Sequence, residues 1–290
     1  MKQVDIPNTL VKNLYFYCEE RFPPIAYTVL VGLFFWSSMI VFELNPSNSQ
    51  AWLGGIVMWL VFFHLRIFDE HKDYREDRWI YPDRILSKGW VQLSLLGRVS
   101  AAVIVLEAIL SLMIGPSAFL YWGILFLFSL LMRYEFGLGH WLEQRKMLYA
   151  ITHNPIVALL AIYAWSCTDS SWNIEYIWYV LSISLGSFAF ELARKMNQKE
   201  EEIPGRRTYS SVYGLERMLL VLRMVLLLAS VCTAIVLLFL HSSAWGWGIL
   251  GLATTTALYL THPQGNAKKF ELSGTLFLLL SMISMIVAPF

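Results

Sequence analysis

Ile67-Phe68-Asp69-Glu70-His71-Lys72-Asp73-Tyr74-Arg75-Glu76-Asp77 continues, with no Pro or Gly between, from an apolar run over residues 51–68. That run is close to the ~20 residues a helix needs to cross a hydrocarbon core of about 30 Å. Nothing in the charged stretch stops the helix, so the chain is expected to leave the membrane still helical. Residues at i, i+4 and i+8 of an α-helix drift by only about 40° per step. Asp69, Asp73 and Asp77 therefore line one stripe, and Glu70 flanks it.

Like charges at that spacing destabilise a helix by a few tenths of a kcal/mol, roughly, per pair, and carboxylates near hydrocarbon also bear a desolvation cost. Two compensations are open. Mg²⁺ prefers oxygen ligands, keeps several waters, and is held by one or two carboxylates plus substrate phosphates, so the stripe would hold a diphosphate through metal bridges. Alternatively, the stretch is a solvated helix end laced by Lys72, Arg75, Glu76 and Arg78, the usual meaning of a mixed charge run. Spacing alone leaves both standing. Tyr81-Pro82-Asp83-Arg84 and Lys88-Gly89 then add a turn and cations suited to phosphate.

The rest of the chain repeats the apolar pattern. Hydrophobic residues make up 57% of the 290 and charged residues only 15%, so the expected solvent is the bilayer. Segments of spanning length fall at 25–43, 51–68, 93–113, 117–134, 147–167, 174–193, 216–240, 244–261 and 270–289. They predict an all-α fold, a single bundle of nine transmembrane helices forming one domain over residues 1–290. Asn45-Pro46-Ser47-Asn48, Gly115-Pro116-Ser117, Asp169-Ser170-Ser171 and His262-Pro263-Gln264-Gly265 read as turns. All 22 Lys and Arg lie before the first span, or in the connections after even-numbered spans and the span ends that flank them. Lys2 and Arg206 belong to that set, and the connections after odd-numbered spans hold none. Cytoplasmic segments carry the positive excess, so the N-terminus and the connections 69–89 and 191–214 are expected in the cytoplasm, with the C-terminus opposite. In a bacterium the host would be the inner membrane. The first 24 residues lack the pattern of a cleaved secretory signal.

A net charge of +1, with no dense basic run, gives no reason to expect nucleic acid as a partner. Cys18, Cys167 and Cys232 stand in no metal or disulfide spacing and read as buried small residues.

Asp69-Glu70-x-x-Asp73-x-x-x-Asp77, at the end of the second span, resembles the first aspartate-rich motif of the UbiA-type intramembrane prenyltransferase superfamily, NDxxDxxxD. Arg84-Ile85-Leu86-Ser87-Lys88-Gly89 is similar to the Arg-Pro-Leu-Pro-Ser-Gly-like stretch that follows it there. The likeness covers the whole chain, since that superfamily also has nine helices with polar motifs after helices 2 and 6. It implies a lipid-accessible cavity in which Mg²⁺ helps ionise a polyisoprenyl diphosphate before a lipophilic acceptor captures the prenyl group. It also implies Asp69, Glu70, Asp73 and Asp77 as metal ligands, with Asp69, Asp73 and Asp77 catalytic, and Arg84 and Lys72 as diphosphate contacts.

The departures matter too. Asp69, Glu70 and Ile85 stand for Asn, Asp and Pro. After helix 6 the expected second acidic motif is replaced by Glu191-Leu192-Ala193-Arg194-Lys195. Glu191 is its remaining candidate metal ligand, and Arg194 and Lys195 are either diphosphate contacts or cytoplasmic anchors. Glu200-Glu201-Glu202 reads as a solvated loop. Arg145 and Lys146 fit either diphosphate binding or topology. His153 and Asn154, before Pro155, fit the start of a helix better than a substrate contact. Glu107, inside a span, is expected to make an interhelical hydrogen bond. The altered second motif also favours an acceptor-free terpene cyclase as alternative. A permease is the other reading, opposed by spans that are nearly free of charge.

Overall fold

The apolar runs form helices in a computed structural model that describes residues 9–43, 49–168, 171–204 and 207–290. The expected turn at Asn45-Pro46-Ser47-Asn48, the first two residues of the one at Asp169-Ser170-Ser171, and Lys2 and Arg206 lie outside the described residues.

In chain order the helices are α1 (Leu10–Arg21), α2 (Pro24–Val41), α3 (Ser49–Ile80), α4 (Leu93–Ile114), α5 (Pro116–Arg133), α6 (Gly139–Glu143), α7 (Lys146–His153), α8 (Pro155–Ser166), α9 (Tyr176–Ala193), α10 (Tyr209–Tyr213), α11 (Leu215–Phe239), α12 (Ala244–Leu260) and α13 (Ala267–Ile286). Pro24, Pro116 and Pro155 each open a helix, where the missing N–H costs nothing. Gly89, in the stretch after the acidic helix, takes a φ of +74°, a left-handed conformation that favours glycine.

Eight helices among the described residues are long and apolar enough to cross a membrane. The segment expected at 244–261 forms α12, whose 17 residues fall just short of that length. Two features of the spans have physical causes. The second span and its acidic extension form one 32-residue helix, because nothing between residues 51 and 77 breaks the backbone ladder beyond Gly54 and Gly55, which the helix absorbs. The fifth span runs as expected, over Lys146–Ser166, with α7 and α8 meeting at Asn154, which keeps helical dihedrals (φ −62°, ψ −30°), while Pro155 lacks the N–H that would carry the hydrogen bonds of α7 onward.

Successive helices pack side by side, α3 on α4, α4 on α5, α5 on α8, α8 on α9, α9 on α11, α11 on α12 and α12 on α13, and α13 returns to α2. The bundle is apolar on its outer surface as well as in its core. Leu106, Ile109, Leu112 and Met113 of α4, and Leu227, Leu228 and Val231 of α11, face outward, as lipid contact requires. Inside, Ser37 and Ser38 hydroxyls lie 2.8 Å from the Tyr179 hydroxyl, and Ser182 lies 2.7 Å from Thr233, interhelical hydrogen bonds of the kind that hold membrane helices together. Gly274 lets α13 approach α9 closely, since a Cβ there would lie 2.7 Å from Phe190 Cα. Cys167 and Cys232 are buried as expected, while Cys18 is half-buried, and none is in a disulfide.

Glu107 is fully buried and bonded across three helices, its Oε1 2.7 Å from His64 Nδ1 and its Oε2 accepting from Trp122 Nε1 at 3.1 Å. The interhelical hydrogen bond expected of it is present twice.

Candidate active site

The helical extension of α3 carries its carboxylates to the edge of a cavity of about 480 Å³. Asp69, Asp73 and Asp77 line this cavity from α3, and Lys72 and Arg84 join them. Lys146 and Tyr149 of α7, Glu191 of α9, and Arg194 and Lys195 just beyond it line the facing wall. The connections after the second and sixth spans, distant in sequence, thus meet at one site. Met132, Ile156 and Val157 give the cavity an apolar part.

The four acidic residues of the first motif have different environments. Asp69 is 48% exposed and has one ion pair, at 3.5 Å, to Lys72. Asp73 makes no hydrogen bond or ion pair with a described residue. Asp77 is held by Arg84 and, at 3.1 Å, by Arg21. Glu70, one residue off the stripe, is outside the cavity wall: it is buried and its Oε1 takes Arg21 Nε at 2.6 Å and Arg66 Nη2 at 2.5 Å. Its position follows from helix geometry, because one residue turns the side chain by about 100°.

Across the cavity, Glu191 is neutralised by its own helix end, with Arg194 Nη2 and Lys195 Nζ both 2.6 Å from its oxygens. Tyr209 donates its hydroxyl to Glu191 at 3.5 Å. Burial, reinforced by the Glu191 charge, pushes the Tyr209 phenol well above its ordinary range, so it remains a donor. Lys72 donates to the Tyr149 hydroxyl, and the Arg84 guanidinium stacks 3.6 Å from the centre of the Tyr81 ring. Lys146 and Arg207 line the cavity without an ion pair to a described residue. Arg145 is not in the wall: it lies over the Trp141 ring at 4.3 Å and donates to the Trp141 carbonyl.

Eight Arg and Lys line the cavity against six Asp and Glu, a balance that suits an anion. Among the described residues, no three His, Cys, Asp or Glu side chains converge as a preformed metal cage. Asp69 and Asp73, one turn apart and only weakly engaged, nevertheless fit an ion that takes one or two carboxylates, waters and substrate phosphates. They fit it better than Glu70, Asp77 or Glu191, which are bound to cations.

Several wall residues escape a reading of the sequence. Arg21 reaches the site from α1, 49 residues before Glu70 in the chain. Arg66 was legible in principle, as the i,i+4 partner of Glu70. Arg207 and Tyr209 arrive through the connection after α9. His153 and Asn154 also line the cavity, and the capping role expected of them is not what their side chains do. The Asn154 side chain caps nothing in α8 and donates instead to the Ser184 carbonyl at 3.1 Å. The Glu200-Glu201-Glu202 run is likewise more than a solvated loop, because Glu202 accepts from the Thr208 and Ser210 hydroxyls.

No protein-family model matches the chain, and no curated protein sequence does. A solved structure described as giving insight into digeranylgeranylglyceryl phosphate synthase in membranes superposes with a TM-score of 0.69 at 16% identity. The alignment covers 96% of this chain and 99% of that one. Over nearly its whole length, then, this all-helical, multi-pass chain is similar in fold to a membrane-bound digeranylgeranylglyceryl phosphate synthase.

Proposed function

We propose that the chain is an Mg²⁺-dependent intramembrane prenyltransferase, which ionises a polyisoprenyl diphosphate and passes the prenyl group to a lipophilic acceptor. One observation carries the reading: Asp69 and Asp73, weakly paired on one stripe, face a cation-lined cavity at the end of a lipid-exposed helix bundle. Fold likeness to a synthase whose name carries two geranylgeranyl groups supports it.

In this reading Asp69 and Asp73 hold the metal, and bound Mg²⁺ would neutralise charge on the departing diphosphate. Lys72, Lys146, Arg84, Arg194, Lys195 and Arg207 take the diphosphate oxygens, stabilising negative charge as the C–O bond breaks. Asp77 orients Arg84. Glu191 holds Arg194 and Lys195 in the facing wall, and the prenyl chain runs past Met132, Ile156 and Val157. The site and N-terminus face the cytoplasm, where the Lys and Arg excess belongs.

Incubation of the purified protein with Mg²⁺ and geranyl, farnesyl or geranylgeranyl diphosphate tests this, following pyrophosphate and lipid-soluble products. The expected result is Mg²⁺-dependent pyrophosphate release with prenyl transfer to an added acceptor. No release with any of the three overturns the reading. The pairing of Glu191 with two cations, in place of a free second acidic motif, favours one alternative, an acceptor-free terpene cyclase. A cyclic hydrocarbon or terpene alcohol formed without acceptor would select it.

A further inference from the structure

Leu120, Ile124, Leu127 and Leu131 form an exposed apolar stripe along α5, at alternating steps of four and three residues. That is the period of one helix face, here the face turned to lipid. The helix ends at Arg133, yet the series runs on through Tyr134, Leu138 and Trp141, which are 68%, 54% and 45% exposed. Large apolar side chains gathered on a surface mark contact with a membrane or a partner.

Just past Tyr134 the chain reverses sharply. Glu135, Phe136 and Gly137 take φ of +50°, +55° and +71°, three consecutive residues in the left-handed region, two of them not glycine. Residues with a Cβ are strained there and keep the conformation only where their surroundings impose it. On the inner side Phe136 supplies that constraint, its ring centre 5.7 Å from that of Phe128 and 5.5 Å from that of His153.

Beyond the reversal α6 has distinct sides. Leu142 is buried, and the hydrogen-bonded pair His140 and Gln144 occupies the opposite arc, exposed. Trp141 and Glu143 each lie about 100° from Leu142, on opposite flanks. Glu143 lines the cavity, so Trp141 faces away from it. Arg133 and Arg145, at the two ends of the segment, make no ion pair with a described residue. Each lies over an aromatic ring instead, Arg133 over Phe68 at 4.5 Å and Arg145 over Trp141 at 4.3 Å.

We propose that residues 134–145 rest on the bilayer as an in-plane segment, with Tyr134, Leu138 and Trp141 in lipid and Arg133 and Arg145 among the headgroup phosphates. Continuity identifies the bilayer as the occupant, because the patch prolongs the lipid-facing stripe of α5. Composition agrees: Trp and Tyr populate the membrane–water boundary, and Arg keeps its charge at headgroup level while its stem lies on apolar surface. Met132 and Lys146, which bracket the segment, line the cavity as Glu143 does. The lipid surface thus reaches the edge of the site from this side. The inference goes beyond the prenyltransferase reading and stands without it.

The test places a nitroxide label at Tyr134→Cys, Leu138→Cys and Trp141→Cys in turn, on the full chain in phospholipid nanodiscs. Cys18→Ser removes the half-buried thiol, and Cys167 and Cys232 are buried. Leu127→Cys on α5 and Arg75→Cys on the extension of α3, both exposed, give the lipid and water references. Collision rates with dissolved oxygen and with a water-soluble nickel chelate read the depth of each label. Labels at Tyr134, Leu138 and Trp141 are expected about 5–10 Å into the boundary between headgroups and acyl chains, the depth of an in-plane helix. The Leu127 label should lie deeper, and the Arg75 label in water. Accessibility like that of the Arg75 label at Leu138 and Trp141 overturns the inference. So does shielding from both reagents with dipolar broadening between labels, which would assign the patch to a second copy of the chain. The three sites are read independently, so a variant that fails to fold leaves the other two to decide.

Discussion

Arg21, the last residue of α1, donates from Nε to Glu70 Oε1 at 2.6 Å, joining the segment before the first span to the end of the second. The same guanidinium reaches Asp77 at 3.1 Å, and neighbouring Glu20 accepts from the Ile85 backbone N–H at 3.1 Å. Beneath these contacts Tyr17 packs with Ile67, Ile85, Leu86 and Leu96 in a separate apolar cluster. The N-terminal helix is therefore a strut of the acidic extension.

Arg21→Ala should lower stability by about 1–3 kcal/mol, the cost of unmaking a charged hydrogen bond to a buried group, because Glu70 retains only Arg66. Arg21→Lys should fall between, keeping the charge but losing the two-point bridge. Thermal unfolding in detergent reads both. An Arg21→Ala protein with an unchanged Tm would mean that α1 rests on the site without supporting it.

Asp73 and Asp77 should separate function from folding. Asp73 makes no hydrogen bond or ion pair with a described residue, so Asp73→Asn is expected to unfold at the wild-type temperature yet lose at least about 10²-fold in Mg²⁺-dependent turnover, as for removal of a group stabilising developing charge. Asp77→Asn releases Arg21 and Arg84 and should lower Tm as well as activity. Full turnover by Asp73→Asn removes that residue from the metal site.

Glu191 distinguishes a ligand from a cation holder. If it only positions Arg194 and Lys195, Glu191→Gln raises KM for the prenyl diphosphate by roughly 10-fold, equivalent to about 1.4 kcal/mol, and leaves the Mg²⁺ concentration for half-maximal rate unchanged. A large rise in that Mg²⁺ concentration would falsify the holder role and make Glu191 a ligand.

Glu107→Ala strands both His64 Nδ1 and Trp122 Nε1 inside the bundle, with an expected cost of about 1–3 kcal/mol. Glu107→Gln keeps a carbonyl and a donor in the same place and should cost less. Equal losses in Tm for the two variants would show that the side chain's volume, rather than its hydrogen bonds, matters.

Much of this was legible in the chain. Long apolar runs announce membrane helices because a bilayer leaves the backbone no other solvent, and the Asp69, Asp73, Asp77 stripe follows from helical period alone. Even Glu107's bonds could be anticipated, since a lone acid inside a span must find partners. The fifth span was read straight through Pro155, and the chain does cross there as Lys146–Ser166, with Asn154 still helical.

What sequence settled by itself is local: which segments are helical, how far α3 runs beyond its apolar part, and which carboxylates share its face. Those properties depend on residues within a few turns of one another. Tertiary structure alone decided which of those carboxylates are free. Arg21 and Glu70 are 49 residues apart in the chain, and Asp77 is claimed from two directions while Asp73 is left open. Pairing of that kind is fixed by how helices pack, and an unpaired charge looks the same in a sequence as a paired one.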